Sequence, residues 1–192
     1  MGLDSKSITF FQNFYMYPAD VVLFKKKQFI RNEIKRWLLI FKDLKKYDVI
    51  HFNFGLPASP YEKPIGQEHG FGFRRRLYNF LYAKPLEGTD LRYLRKRNKV
   101  IAVTYQGDDA RQGDYCRKNY PIHPVHEVEN DYFTTTTDYI KKRRIELFGH
   151  HADLIYALNP DLMNVLPSQA RFLPYASVDL EEWKFLGVDE KV

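Results

Sequence analysis

One short segment combines residue types that could do chemistry together. The run of residues 106–111 contains Gly107, Asp108, Asp109 and Arg111. Glycine lets a backbone approach a ligand closely, a carboxylate accepts hydroxyl hydrogen bonds or acts as a base, and an arginine can bind an anion through two N–H groups. The segment therefore predicts either a binding or catalytic site, or a turn held by a local Asp–Arg pair.

Other candidate residues follow apolar runs elsewhere in the chain. His51 ends one such run and is followed by Asn53 and Gly55, whereas Asn159 and Tyr175 follow two later runs. A histidine at this position is either part of a site or a structural group, and Asn53 and Gly55 either shape the site or only form a turn.

The sequence contains no recognised motif for a metal site or a cofactor site. Cys116, His123, His126 and Glu127 are close in sequence, but their spacing matches no strong zinc motif. The chain also contains no GxGxxG, GxxxxGK[ST] or GxSxG motif. We therefore expect no metal and no cofactor.

The candidate residues follow predicted strands that alternate with predicted helices. Short apolar runs at residues 48–52, 99–105, 153–157 and 171–173 are typical of buried strands. Helices are predicted at residues 25–46, 74–82, 89–97 and 138–150, and a long loop at 112–137. This alternation predicts one α/β domain over residues 1–192, with a Rossmann-like parallel sheet and helices on both faces.

A parallel sheet would bring the candidate residues together. Right-handed crossovers place the carboxyl ends of all strands at one edge of the sheet, and ligands of open α/β sheets bind at that edge. We therefore expect the segments that begin at residues 51, 106, 158 and 174 to converge.

The longest predicted helix carries an apolar stripe and many basic residues. Ile30, Ile34, Trp37, Phe41 and Leu44 recur at helical spacing, which predicts that they face the core. The basic residues of residues 25–46 then form a solvated face. The alternative is that this helix lies on an anionic membrane surface.

The composition indicates the compartment in which the protein works and the class of partner that it binds. Among 192 residues there is one cysteine and a formal net charge of +6. A single cysteine excludes an intrachain disulfide and fits a reducing compartment, and no apolar run reaches the roughly 20 residues that span a bilayer. We therefore expect a cytoplasmic protein. The positive charge favours acidic partners, but the aromatic residues fall on core spacing, so nucleic acid is not expected.

Several strand-end segments, taken in order, resemble the N-terminal domain of GT-B glycosyltransferases. The segments are residues 47–51 (YDVIH), 100–111 (VIAVTYQGDDAR), 152–156 (ADLIY), 159–162 (NPDL) and 173–176 (LPYA). The similarity is to the retaining, glycogen-synthase-like transferases that build surface polysaccharides, and it covers residues 3–183. It implies one half of an architecture in which two Rossmann domains face each other across the active site.

The resemblance assigns roles to particular residues. Gly107, Asp109 and Arg111 match the family pattern Gly-x-Asp-x-Arg beside the cleft, which implies Asp109 and Arg111 as catalytic residues. The implied acceptor-binding residues are His51, in the floor of the cleft, with Asn53, Gly55, Gly107, Asn159 and Tyr175. The acceptor would be a saccharide or a lipid-linked saccharide, and the chain could lie at the inner face of the membrane.

The same resemblance implies a truncated transferase. The donor-binding domain that holds the nucleotide sugar is not recognisable, and the first strand of the architecture is a candidate for a second missing part. We therefore expect an acceptor-side domain that moves a hexose only when a missing or separate domain supplies the nucleotide sugar. The alternative is a non-catalytic module that binds an anion or a partner protein at the same edge.

Overall fold

The computed structural model describes residues 4–12, 16–63, 72–128, 132–174 and 182. The helices and strands are β1 (Ile8–Thr9), β2 (Val21–Val22), α1 (Phe29–Leu38), β3 (Val49–Phe52), α2 (Gly72–Tyr78), α3 (Lys84–Leu86), α4 (Thr89–Arg95), β4 (Val100–Tyr105), α5 (Gly113–Asn119), α6 (Thr135–His151), β5 (Leu154–Ala157) and β6 (Arg171–Phe172). The π-helical turns Leu39–Asp43 and Asn79–Ala83 continue α1 and α2, and 3₁₀ turns lie at Leu44–Lys46, Pro124–His126 and Pro160–Asn164.

A four-stranded parallel sheet in the order β3-β4-β5-β6 forms the centre of the fold. Helices flank this sheet, which confirms the predicted Rossmann-like α/β class. The predicted strands occur within a residue or two of their expected positions. A second, two-stranded parallel sheet pairs β1 with β2 and was not predicted.

The core lies between one face of the central sheet and the crossover helices. Its largest members come from β4, α4 and α6, namely Ile101, Val103, Tyr105, Leu91, Leu94, Ile145 and Phe148. β4 is buried at every position after Val100 because neighbouring strands cover both its edges and apolar side chains cover its faces. This buried strand fixes the position of the loop that follows it.

The segment predicted to be a long loop contains ordered helical structure. α5 and the 3₁₀ turn Pro124–His126 both lie within residues 112–137, so that prediction was wrong in part. α6 begins at residue 135 rather than 138 because Thr134 and Thr137 form a reciprocal cap. The Thr137 N–H donates to Thr134 Oγ1 at 3.1 Å, and the Thr134 N–H donates to Thr137 Oγ1 at 2.8 Å.

The predicted core stripe is wrong at Ile30, Ile34 and Phe41, which face solvent, and right at Leu44, which is buried in the core. Ile30 and Ile34 are 75% and 57% exposed, whereas Asn32 and Arg36 are buried. Asn32 exchanges two hydrogen bonds with the backbone of Lys25, at 2.7 and 3.0 Å. The burial of these polar side chains turns the apolar stripe outward.

Arg36 holds this orientation through three packing partners. Its guanidinium lies 4.8 Å from the ring centre of Phe10 and 5.0 Å from that of Phe24, and it donates to the Ala58 carbonyl at 2.7 Å. None of these partners belongs to α1.

In the described parts of the chain, none of the helices is both long enough and apolar enough to cross a bilayer.

Candidate functional site

Hydrogen bonds join the loops that follow β3, β4 and β5, and Gln106 lies at their centre. Its Nε2 donates to Asn53 Oδ1 at 2.9 Å and to the Asn53 carbonyl at 3.1 Å. The Asn159 side-chain amide donates to the Gln106 carbonyl. The predicted convergence of these three loops at the carboxyl edge is therefore confirmed. Asn159 makes this contact instead of capping the helical turn that follows it.

Asp109 fastens the loop after β3 to the loop after β4. Its carboxylate accepts the N–H groups of Gly55 at 3.0 Å, Gln106 at 3.0 Å and Gly107 at 2.8 Å. The residue is 7% exposed, and burial raises the pKa of its carboxyl even though the N–H donors act in the opposite direction. Because its oxygens point into the protein, Asp109 holds the two loops together from the buried side of the site.

Arg111 reaches across to the loop after β5. Its Nε donates to Asp161 Oδ2 at 2.7 Å and its Nη2 to Asp161 Oδ1 at 3.3 Å, a forked contact between a guanidinium and a carboxylate. The Asp161 carboxylate raises the pKa of Arg111. A Cβ on Gly107 would lie 2.7 Å from Arg111 Nη1, so this glycine leaves room for the guanidinium.

A pocket of about 350 Å³ opens beside the Arg111–Asp161 pair. Its walls are formed by Asp108, Arg111, Tyr120, Ile122, His123, Pro124, Phe133 and Asp161. The Tyr120 and His123 rings stack with centroids 5.9 Å apart, and the Phe133 ring lies 6.4 Å from that of His123. The pocket therefore combines aromatic faces with charged hydrogen-bonding groups, and its volume is that of a small-molecule site.

The charged groups in the pocket wall nearly cancel. Two carboxylates, Asp108 and Asp161, face one guanidinium, Arg111, so the formal charge is −1. His123 adds no charge at neutral pH, because burial and the nearby Arg111 lower its pKa and its Nδ1 accepts the Val125 N–H. A neutral ligand rich in hydroxyl groups fits this balance better than an anion does.

Of the remaining predicted residues, two glycines lie in the joined loops, the histidine lies on β3, and the tyrosine lies outside the described residues. Gly55 and Gly107 contribute backbone N–H groups to the Asp109 contact. His51 lies on the face of β3 opposite Phe52, and its Nε2 is 2.7 Å from Thr104 Oγ1. His51 therefore bonds to the neighbouring strand rather than to the joined loops. Tyr175 lies outside the described residues.

We expect the His51 imidazole to titrate below its usual pKa of 6.5, because burial lowers its pKa. A lowered pKa in the folded protein means that the stability linked to this group is present above the unfolded pKa and is lost as the pH falls through the folded value. An NMR titration of the imidazole checks this, with the urea-unfolded chain as control. A folded midpoint at or above 6.5 would contradict the burial of His51.

Gly55 is required by the close approach of its loop to β4. A Cβ at this position would lie 2.3 Å from Cε1 of Tyr105, whose ring is fully buried. We expect Gly55→Ala to lower the free energy of unfolding by about 1–3 kcal/mol, since a buried ring must move. Gly72→Ala is the matched control, because nothing lies within 4 Å of a Cβ there. Equal effects of the two substitutions in urea denaturation would contradict this packing.

The described residues contain no cluster of side chains that could bind a metal ion. Across residues 4–12, 16–63, 72–128 and 132–174, no three His, Cys, Asp or Glu side chains form a group that could hold an ion. Cys116 packs against Val125 and Phe133, and His126 Nε2 lies 2.9 Å from the Tyr120 carbonyl.

Sequence reasoning missed several residues that build the pocket and the joined loops. Gln106 directly follows β4 and Asp161 comes four residues after the end of β5, so their positions after strands were a usable signal. Tyr120, His123 and Phe133 lie in the segment predicted to be a loop, where periodicity gave no signal.

The chain is a parallel α/β domain with a pocket beside the loops at the carboxyl edge of its sheet. Comparisons with protein-family models, curated proteins and solved structures found no match to this chain.

Proposed function

We propose that this chain is the acceptor-side domain of a glycosyltransferase that moves a hexose from a nucleotide sugar to a polysaccharide or glycolipid acceptor. The proposal assigns the acceptor to the pocket beside Arg111, Tyr120 and Asp161. It assigns the nucleotide sugar to a donor-binding domain outside the described residues, without which the chain is inactive.

The chemistry of the pocket is the observation that carries this proposal. The partly buried Tyr120 ring offers a face against which the C–H face of a sugar can pack, and the buried Phe133 ring completes the apolar part of the wall. Asp108 and Asp161 offer carboxylate oxygens that accept hydroxyl hydrogen bonds, and Arg111 offers donors. A hexose needs both kinds of contact, because one side of the ring is apolar and its rim carries hydroxyl groups.

In the proposed reaction an acceptor hydroxyl forms a glycosidic bond to the anomeric carbon of the nucleotide sugar, the bond from that carbon to the phosphate oxygen breaks, and the nucleotide leaves and takes up the hydroxyl proton. Arg111 and Asp108 contact the acceptor, and Arg111 retains the catalytic role that the resemblance implies. Asp109 acts as a positioning residue, since three backbone N–H groups already occupy its carboxylate. Asn53, Gly55, Gly107 and Asn159 hold the joined loops in place. The setting is the cytoplasm, where a lipid-linked acceptor would bring the chain to the inner face of the membrane.

The competing function is a non-catalytic module that binds an anion or a partner protein. Arg111 is the only lysine or arginine in the pocket wall of the described chain, and Asp161 already pairs with it. The pocket wall thus contains no unpaired lysine or arginine that could bind an anion. The charge balance therefore favours a neutral saccharide.

Reconstitution of transfer tests the proposed function. The purified chain should not transfer or hydrolyse nucleotide sugars alone, and affinity purification from its native cell should recover a donor-binding subunit. The combined fractions should then transfer hexose, and Tyr120→Ala or Asp108→Ala should raise the KM for the acceptor about tenfold. Lys118→Ala, on the exposed side of α5, is the control.

Three results would contradict this proposal or one of its parts. Unchanged acceptor KM values in both pocket variants would remove the acceptor from the pocket. Recovery of only partners that bind no nucleotide sugar would support the non-catalytic module. Turnover by the chain alone would instead contradict the need for a separate donor domain.

A further inference from the structure

Two helices of the chain lie side by side at the surface. The rings of Phe29 on α1 and Tyr78 on α2 meet edge to face with centroids 5.9 Å apart. One turn further along each helical segment, Tyr82 donates to Glu33 Oε2 at 3.0 Å, and it also accepts from Nε1 of Trp37, a turn beyond Glu33, at 2.8 Å. Because the contacts advance along both helices together, α1 and the helical segment 72–83 run in the same direction.

α1 and the helical segment 72–83 each bury one side and expose an apolar side, and on the second of these the buried residues are Asn79 and Ala83. On α1, Asn32 and Arg36 are buried while Ile30 and Ile34 are exposed. The exposed rows of the two helices lie on the same, outward side, because in each helix the contact row separates the exposed row from the buried one. The outer apolar surface consists of Ile30, Ile34, Leu38, Leu77, Phe80 and Leu81, which are 47–75% exposed.

Exposed basic side chains flank the residues of the outer apolar surface along both helical segments. The exposed members of this basic rim are Lys26, Lys27, Arg31, Lys42, Arg74 and Lys84. Glu33 lies between the helices, where it bonds to Arg36 and Tyr82 and adds no free acidic group to the surface. An apolar patch of this kind marks an interaction site, and the charges decide its partner.

We propose that the outer apolar surface and its basic rim dock on a membrane that contains anionic lipids. The two helices lie in the plane of the interface, the apolar side chains enter the boundary between headgroups and acyl chains, and the lysines and arginines contact anionic headgroups. A second copy of this chain fits less well, since two basic rims would face each other across such an interface. This inference stands without the proposed function, because it uses none of the pocket residues.

Vesicle flotation with the full chain tests the docking surface. We expect binding to vesicles of phosphatidylcholine mixed with phosphatidylglycerol, and little binding to phosphatidylcholine alone. Ile34→Gln combined with Phe80→Gln should weaken binding at least about tenfold, and so should Arg31→Glu combined with Lys42→Glu. All four residues are exposed, so folding of these variants can be verified by circular dichroism.

Matched controls separate this surface from the general charge of the protein. Lys118→Glu combined with Arg171→Glu makes the same change in net charge on exposed positions of α5 and β6, and should leave binding within about twofold. Tyr139→Gln, 54% exposed on α6, is the control for the apolar pair.

Three results would overturn the docking proposal. The first is equal binding to both kinds of vesicle or no binding to either, and the second is an equal loss in the control variants. The third is a dimer in analytical ultracentrifugation that the Ile34→Gln, Phe80→Gln pair dissociates, which would make a second copy the occupant.

Discussion

Asp109→Ala is expected to lower the free energy of unfolding by about 3 kcal/mol or more, because it leaves buried backbone N–H groups without an acceptor. The Asp109 carboxylate is the acceptor for the N–H groups of Gly55, Gln106 and Gly107. Asp109→Asn keeps one acceptor oxygen and should lose about half as much. Urea denaturation of the purified variants measures both effects.

The neighbouring acid is the matched control for this prediction. Asp108 is exposed, and its carboxylate accepts a hydrogen bond from the Tyr132 hydroxyl at the mouth of the pocket. Asp108→Ala should therefore change stability by less than about 0.5 kcal/mol while it weakens saccharide binding. If the two alanine variants were equally stable, the buried contacts of Asp109 would not be what joins the loops.

Glu87→Ala is expected to cost about 3–5 kcal/mol, because it leaves a buried arginine without its counter-charge. Glu87 is 7% exposed and accepts from Arg144 Nε at 2.9 Å and from Arg143. These contacts connect the start of α4 to α6, the two helices that cover the sheet core. Thermal and urea denaturation should show the loss together with an unchanged fold at low temperature.

An exposed ion pair on the same helix provides the comparison. Asp114 pairs with Lys142 of α6 at 2.5 Å, with side chains 53% and 46% exposed. Asp114→Ala should cost no more than about 1 kcal/mol, since water screens this pair. A Glu87→Ala variant as stable as Asp114→Ala would show that Arg144 finds another partner or reaches solvent.

The strands could be predicted from sequence because their signal is local. β-Branched and apolar residues are continuous in residues 100–103, which is typical of a strand buried on both faces, and the structure buries nearly all of β4. The parallel arrangement then followed from the helices between the strands. β1 and β2 escaped prediction because each has only two residues, too few for any periodicity.

The orientation of α1 could not be predicted because periodicity identifies an apolar face without identifying what covers it. Burial of the opposite face depends on Arg36, whose partners Phe10, Phe24 and Ala58 come from other parts of the chain. The same contacts that contradict the predicted core stripe leave the outer apolar surface open to a partner.

The site was predictable in position but not in detail. The parallel sheet brings the loops of Asn53, Gln106 and Asn159 together, as the strand order required. Sequence spacing could not show that Asp109 points inward or that Arg111 pairs with Asp161, 50 residues away. Those contacts depend on loop conformations that only the folded chain defines.

The most direct test of the pocket is an NMR titration of the isotope-labelled chain with short neutral hexose oligosaccharides. The account predicts saturable amide shifts around Asp108, Arg111, His123 and Asp161, their loss in Tyr120→Ala, and no such shifts with inorganic phosphate. Saccharide shifts that are absent or that lie on another surface, or a response to phosphate at these same amides, would contradict it.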